Sequence, residues 1–200
     1  MINKIIYLSL LIAIFIQCRS YPSMSAVDKP DFTLMEKKLY GVLQKDINKQ
    51  HCDSSDANVL RSKQVLNYIN WSDAYELYGL TKEIYPSKEW DKMYFIYYFS
   101  EYTDPIYGNI TIVYSNGRES WGLSKDDNQN NYIRTNDCKN IDIWNLYAVR
   151  TGKFDCKFGN NILAITEFDN NYKIKRTKIY YFYGFNSTVF DVLYRLQDDN

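Results

Sequence analysis

A mainly β protein, an antiparallel barrel of eight strands behind an N-terminal helical extension, is the fold class this chain predicts. Three observations predict it. Beyond Trp90 the 200-residue chain is dominated by Tyr, Ile, Val, Phe and Thr, which fit a pleated, half-buried surface. These residues fall in short runs parted by Asn, Asp and Gly at regular spacing, the pattern of an antiparallel meander closed into a barrel or folded as a sandwich. Before Trp90 the apolar residues recur at helical spacing instead. Composition agrees: 17% aromatics, with 20 Tyr, exclude a disordered chain, and 8 Gly and 4 Pro exclude collagen-like and mucin-like ones. The length suits one domain with a real core.

Residues 1–20 read as a signal peptide. Lys4 precedes an apolar run from Ile5 to Ile16, too short to span a bilayer, and Cys18 and Ser20 stand at −3 and −1 of a cut before Tyr21. The expectation is a secreted, extracellular protein, with no membrane association after cleavage. Loss of Lys4 and Arg19 leaves 22 basic against 24 acidic residues, so composition forces no basic face and nucleic acid is not an expected partner. Asn70, Asn109 and Asn186 open Asn-x-Ser/Thr sequons and are the glycosylation candidates. Cys52, Cys138 and Cys156 remain in the mature chain. Two of the three are expected to pair in an oxidising compartment, in any of the possible combinations.

Residues 21–89 form the helical segment. Asp31, or Thr33 with Glu36 three residues on, marks a helix start; Met35, Leu39, Val42, Leu43 and Ile47 then make one apolar stripe. A second helix follows Ser55 with Val59, Leu60, Val65, Leu66 and Ile69. A third begins near Ser72-Asp73 and is expected to stop at Gly79. Residues 90–200 carry the strand candidates: Met93–Tyr102, Asn109–Ser115, Arg118–Leu123, Tyr132–Thr135, Ile141–Arg150, Phe154–Phe158, Ile162–Phe168, Tyr172–Phe185 and Thr188–Leu196. Asn116-Gly117 between the second and third is a hairpin signal, and Asp126–Asn131 reads as a polar loop.

The residues argue against catalysis. The one histidine, His51, is adjacent to Cys52, so the two side chains diverge, and no Gly-x-Ser-x-Gly nucleophile motif is present. Metal-ligand spacing and a Gly-rich phosphate loop are absent, so no metal or cofactor is called for. Paired carboxylates for glycoside hydrolysis are not excluded, but nothing singles out a pair. What the strands do offer is carboxylates amid aromatics: Glu101 beside Tyr102, Glu167 beside Phe168, and Asp191 between Phe190 and Val192. Such groups suit a small organic cation if they point inward, and are solvated if they point out.

Asp73-Ala74-Tyr75, then Met93-Tyr94-Phe95-Ile96-Tyr97-Tyr98, then Tyr102-Thr103-Asp104-Pro105-Ile106-Tyr107-Gly108-Asn109 together resemble the opening of tick salivary lipocalins of the histamine-binding type. Tyr75 and Tyr107 stand where that family has tryptophans. Thr166-Glu167-Phe168-Asp169-Asn170-Asn171-Tyr172 is more distantly similar to a Thr-Asp-Tyr-x-x-Tyr segment of lipocalins in general. The resemblance implies an eight-stranded barrel with a ligand pocket that sequesters a mediator such as histamine or serotonin, with Tyr102, Asp104 and Tyr107 as ligand-binding residues; the expected partner is a small molecule, an amine or a lipid. The plain reading of Asp104-Pro105 is a turn. Two other expectations stand beside it. One is a host-interaction protein that binds another protein through a Tyr-rich surface. The other is a helix-on-sheet inhibitor resembling the cystatin group, whose Gln-x-Val-x-Gly loop this chain lacks.

Overall fold

The computed structural model describes residues 29–100, 107–126, 129–139, 143–146, 152–157 and 161–182. Three helices come first: α1 (Phe32–Lys49), α2 (Ala57–Asn67) and α3 (Trp71–Ile84). Asp31 caps α1, its Oδ1 accepting the Leu34 N–H at 2.8 Å. The stripe Phe32, Met35, Leu39, Leu43 and Ile47 is buried, about 1.5–3 kcal/mol for each large apolar side chain. Asn70 caps α3 by accepting from the N–H groups of Ser72 and Asp73. This helix does not stop at Gly79. A glycine inside a helix costs only about 1 kcal/mol relative to alanine. Leu77, Tyr78 and Thr81 are buried on both sides of it and carry the helix on to Ile84.

Six strands follow: β1 (Lys92–Ser100), β2 (Tyr107–Ser115), β3 (Glu119–Asp126), β4 (Gln129–Lys139), β5 (Asn161–Asp169) and β6 (Ile174–Phe182), with a single helical turn, α4 (Ile143–Leu146), between β4 and β5. They form one antiparallel sheet in the order β4-β3-β2-β1-β5-β6. The first four make a meander; the chain then crosses to the far side of β1 and adds the β5–β6 hairpin. The outer strands β4 and β6 are not paired with each other, so among the described residues the sheet is open.

The closed eight-stranded barrel is therefore overturned. A barrel buries one face of its strands inward, whereas here both faces of the central strand are buried. Met93, Phe95, Tyr97 and Phe99 join the core shared with the three helices, while Tyr94, Ile96 and Tyr98 lie in a second cluster with Leu163, Ile165, Tyr180 and Phe182 on the opposite face. Two expected strands also fail. Ile141–Arg150 contains the α4 turn, and at Phe154–Phe158 the described part is irregular, with one bridge nearby at Gly152 to Tyr181. Of their described residues, Ile143 and Trp144 pack on the second face and Phe154 on the first, as apolar cover rather than ladder members. The polar segment 126–131 is mostly strand, since β3 runs to Asp126 and β4 starts at Gln129. The helix-across-an-open-sheet layout is closer to the helix-on-sheet alternative. Among the described residues no helix is long and apolar enough to cross a membrane.

Candidate functional site

The candidate site grows from the end of α3. Helix α3 delivers Lys82 and then Tyr85; the connection to β1 adds Pro86, Lys88 and Trp90. Facing them, the β2–β3 hairpin contributes Tyr114 and Trp121, cross-strand partners in the ladder. The hairpin closes through Asn116: its N–H donates to the Glu119 carbonyl at 3.3 Å, and its Oδ1 accepts from the N–H groups of Arg118 and Glu119. Gly117 takes the positive φ of +80° that the turn demands. Together these residues enclose a cavity of about 220 Å³. That is below the roughly 300–1,000 Å³ of sites for drug-sized ligands and suits a single-ring molecule.

Aromatic faces make most of its wall. Trp90 meets Tyr114 edge-on at 5.1 Å and Tyr172 at 5.3 Å; Tyr114 and Trp121 lie nearly parallel at 6.4 Å. Behind them Tyr78 donates to the Tyr172 hydroxyl at 2.8 Å. Tyr114 is 2% exposed, and its hydroxyl has no hydrogen-bond partner among the described residues. Burial, with the neighbouring Tyr172, pushes that hydroxyl well above the usual tyrosine range, so it stays protonated and able to donate.

The charges are arranged around these rings. The Lys88 ammonium lies 4.9 Å from the Trp121 ring centre and 5.6 Å from that of Tyr85, and is paired with the Glu119 carboxylate at 3.2 Å. Lys82 sits 5.2 Å over both Tyr78 and Tyr172. Each contact of an ammonium with a ring face is worth about 0.5–1 kcal/mol where solvent reaches it. Two aromatic faces and one carboxylate thus surround the chain's own Lys88 ammonium.

The residues singled out in the sequence fare differently. Tyr102 and Asp104 lie outside the described residues, as do Glu101, Asn186 and Asp191. Tyr107 begins β2, paired with Ser100. Glu167 is half-buried and engaged: it accepts from the Trp144 indole N–H at 2.6 Å and has Lys92 at 3.9 Å. Cys52 and Cys156 form a disulfide, so Cys52 is no free nucleophile beside His51. Cys138 is in β4 opposite Ser120. Asn70 is exposed, while Asn109 is buried, its Oδ1 accepting from Thr111 and Ser124. A glycan needs solvent, so the folded sheet offers Asn70 rather than Asn109 as an acceptor. Among the described residues no group of three His, Cys, Asp or Glu side chains could hold a metal ion.

Sequence reasoning missed the aromatic pocket. A two-residue turn at Asn116-Gly117 would pair Ser115 with Arg118 and set Trp121 opposite Ile112. The four-residue loop pairs Ser115 with Ser120 instead and brings Trp121 opposite Tyr114. Lys88 and Trp90, in a connection without periodicity, carry no signal of their own. Comparison with family models, with curated proteins and with solved structures finds no match.

Proposed function

We propose that this protein is a secreted, non-catalytic binder of a small organic cation of the biogenic-amine class, held in the pocket between α3, the α3–β1 connection and the β2–β3 hairpin. The observation that carries the reading is Lys88: an ammonium lodged against Tyr85 and Trp121 and paired with Glu119 is the chemistry an amine ligand requires. The Tyr114 hydroxyl supports it, because a buried polar group without a partner costs about 1–3 kcal/mol and a ligand's polar tip would relieve that cost. The Cys52–Cys156 disulfide is in keeping with an oxidising, extracellular compartment.

An incoming amine competes with Lys88 for the same rings and carboxylate. Removing that ammonium by Lys88→Met is therefore expected to tighten binding of phenethylamine and histamine, while Glu119→Gln weakens it by about fivefold. Isothermal titration of the wild-type protein and both variants measures this. Absence of saturable binding in both the wild type and Lys88→Met sets the reading aside.

A further inference from the structure

A second cavity, about 640 Å³, lies between the C-terminal half of α1, the edge strand β6 and the segment 152–154. Its construction is different. Gly152 donates its N–H to the Tyr181 carbonyl at 2.8 Å, which fastens the segment to the sheet edge and sets Phe154 edge-on against the Tyr181 ring at 5.3 Å. Phe154, Ile179 and Tyr181 are all buried and give the groove an apolar floor. Its rim is cationic. Four lysines border it, Lys45, Lys49, Lys153 and Lys178, against one carboxylate, Asp46. This concentration of charge occurs in a chain whose basic and acidic residues number 24 each.

The single carboxylate is already engaged: Tyr181 donates its hydroxyl to Asp46 Oδ2 at 3.0 Å, and burial together with Asp46 holds that hydroxyl protonated. Lys45 and Lys49, one helical turn apart and exposed, have no carboxylate within ion-pair distance among the described residues. Lys178 lies 4.1 Å over the Tyr180 ring, on the opposite face of the sheet from Phe154, Ile179 and Tyr181. Among the described residues Lys45 and Lys49 therefore bring uncompensated positive charge to the edge of an apolar floor, and an anion there would lower the energy of both ammonium groups.

We propose that the α1–β6 groove is a second binding site, for a free amphiphilic organic anion whose acid group sits between Lys45 and Lys49 and whose apolar body lies on Phe154, Ile179 and Tyr181. Its volume is that of sites for ligands of ordinary drug size. It shares no residue with the aromatic pocket, so the two sites succeed or fail separately.

The probe is 8-anilinonaphthalene-1-sulfonate, an aromatic anion that fluoresces when its ring leaves water, titrated into the full folded protein. Saturable binding of one equivalent is expected. Lys45→Gln and Lys49→Gln each weaken it about twofold to threefold, and the double variant about fivefold. Lys37→Gln, which removes the same charge from an exposed position of α1 outside the groove, leaves it unchanged. Neutral N-phenyl-1-naphthylamine is expected to be indifferent to all three substitutions. Free dodecanoate is expected to displace the probe where phosphatidylserine vesicles do not. Equal affinity in the double variant, an equal loss in Lys37→Gln, or displacement by vesicles alone overturns the proposal. If the double variant does not fold, Lys45→Gln, an exposed change, supplies the comparison.

Discussion

Gly122 is the residue whose identity the backbone leaves least room to change. A Cβ built there runs into the Ile112 carbonyl oxygen and stands 2.9 Å from Val113 Cα, all backbone that cannot swing aside. The reason is local. The β3–β4 register shifts between Ser120 and Gly122, and this irregularity presses β3 onto β2. Gly122→Ala is expected to cost about 1–3 kcal/mol, read from the denaturant midpoint with unchanged slope. By contrast Gly79, inside α3, has open space around it, and its freedom is not used. In the sequence the two glycines look alike, and only the packing separates them. The same holds for carboxylates: Glu167 was legible as an acid beside an aromatic, but its partners Trp144 and Lys92 come from remote elements.

At the scale of elements, turns show how a single side chain sets a connection. The β5–β6 hairpin closes on Asp169, whose Oδ1 accepts from the N–H groups of Asn171 and Lys173, with Lys175 at 3.2 Å from the other oxygen. Tyr172 sits in this turn with φ of 58°. The Lys173 N–H above all, helped by Lys175 and Asn171, holds the Asp169 carboxyl below its ordinary value of 3.8. A depressed carboxyl stabilises the folded state above its unfolded value and loses that contribution as pH falls through the folded one. The melting-temperature deficit of Asp169→Ala is therefore expected to be largest near neutral pH and to shrink below about pH 4. A deficit independent of pH would show that the carboxylate's charge has no part in the turn. Helix α3 is placed by a different device: Lys125 of β3 reaches Asp73 at 2.6 Å and Glu76 at 3.3 Å, pinning the first turns of the helix to the sheet at the end away from the aromatic pocket.

At the scale of the whole molecule, a disulfide among the described residues joins distant parts. Cys52, in the connection after α1, is bonded to Cys156, 104 residues on, beside the segment that borders the α1–β6 groove. Asn58 of α2 adds a hydrogen bond to the Cys156 carbonyl at 3.0 Å. In the chain-entropy account a loop near 100 residues contributes about 4.7 kcal/mol by restricting the unfolded chain. Cys52→Ser is accordingly expected to lower the melting temperature by about 10 °C or more, measured against the oxidised wild type. The layering of the molecule is set by the core that α1, α2 and α3 share with β1, β2, β3, β5 and β6, so helices and sheet are expected to unfold together.

Local patterning by itself determined the elements that carry their own signals. Helix α1 was written in its Asp31 cap and in Met35, Leu39, Leu43 and Ile47, though not in Phe32; β1 and β5 in their apolar runs; and the place of the β2–β3 turn in Asn116-Gly117. These rest on contacts a few residues apart, which a linear sequence records. Tertiary structure alone decided that the sheet is open among the described residues, because a continuous apolar run such as residues 93–99 is equally compatible with a barrel wall and with a central strand covered on both faces. It also decided that Ile143–Leu146 turns helical as cover for the second face, and which two of the three cysteines meet. Both candidate sites belong to this second class. Tyr85, Tyr114 and Trp121 converge through one register choice, and Lys45 and Tyr181 through the docking of a helix on a strand. Such convergence depends on long-range packing, for which residue spacing along the chain holds no record.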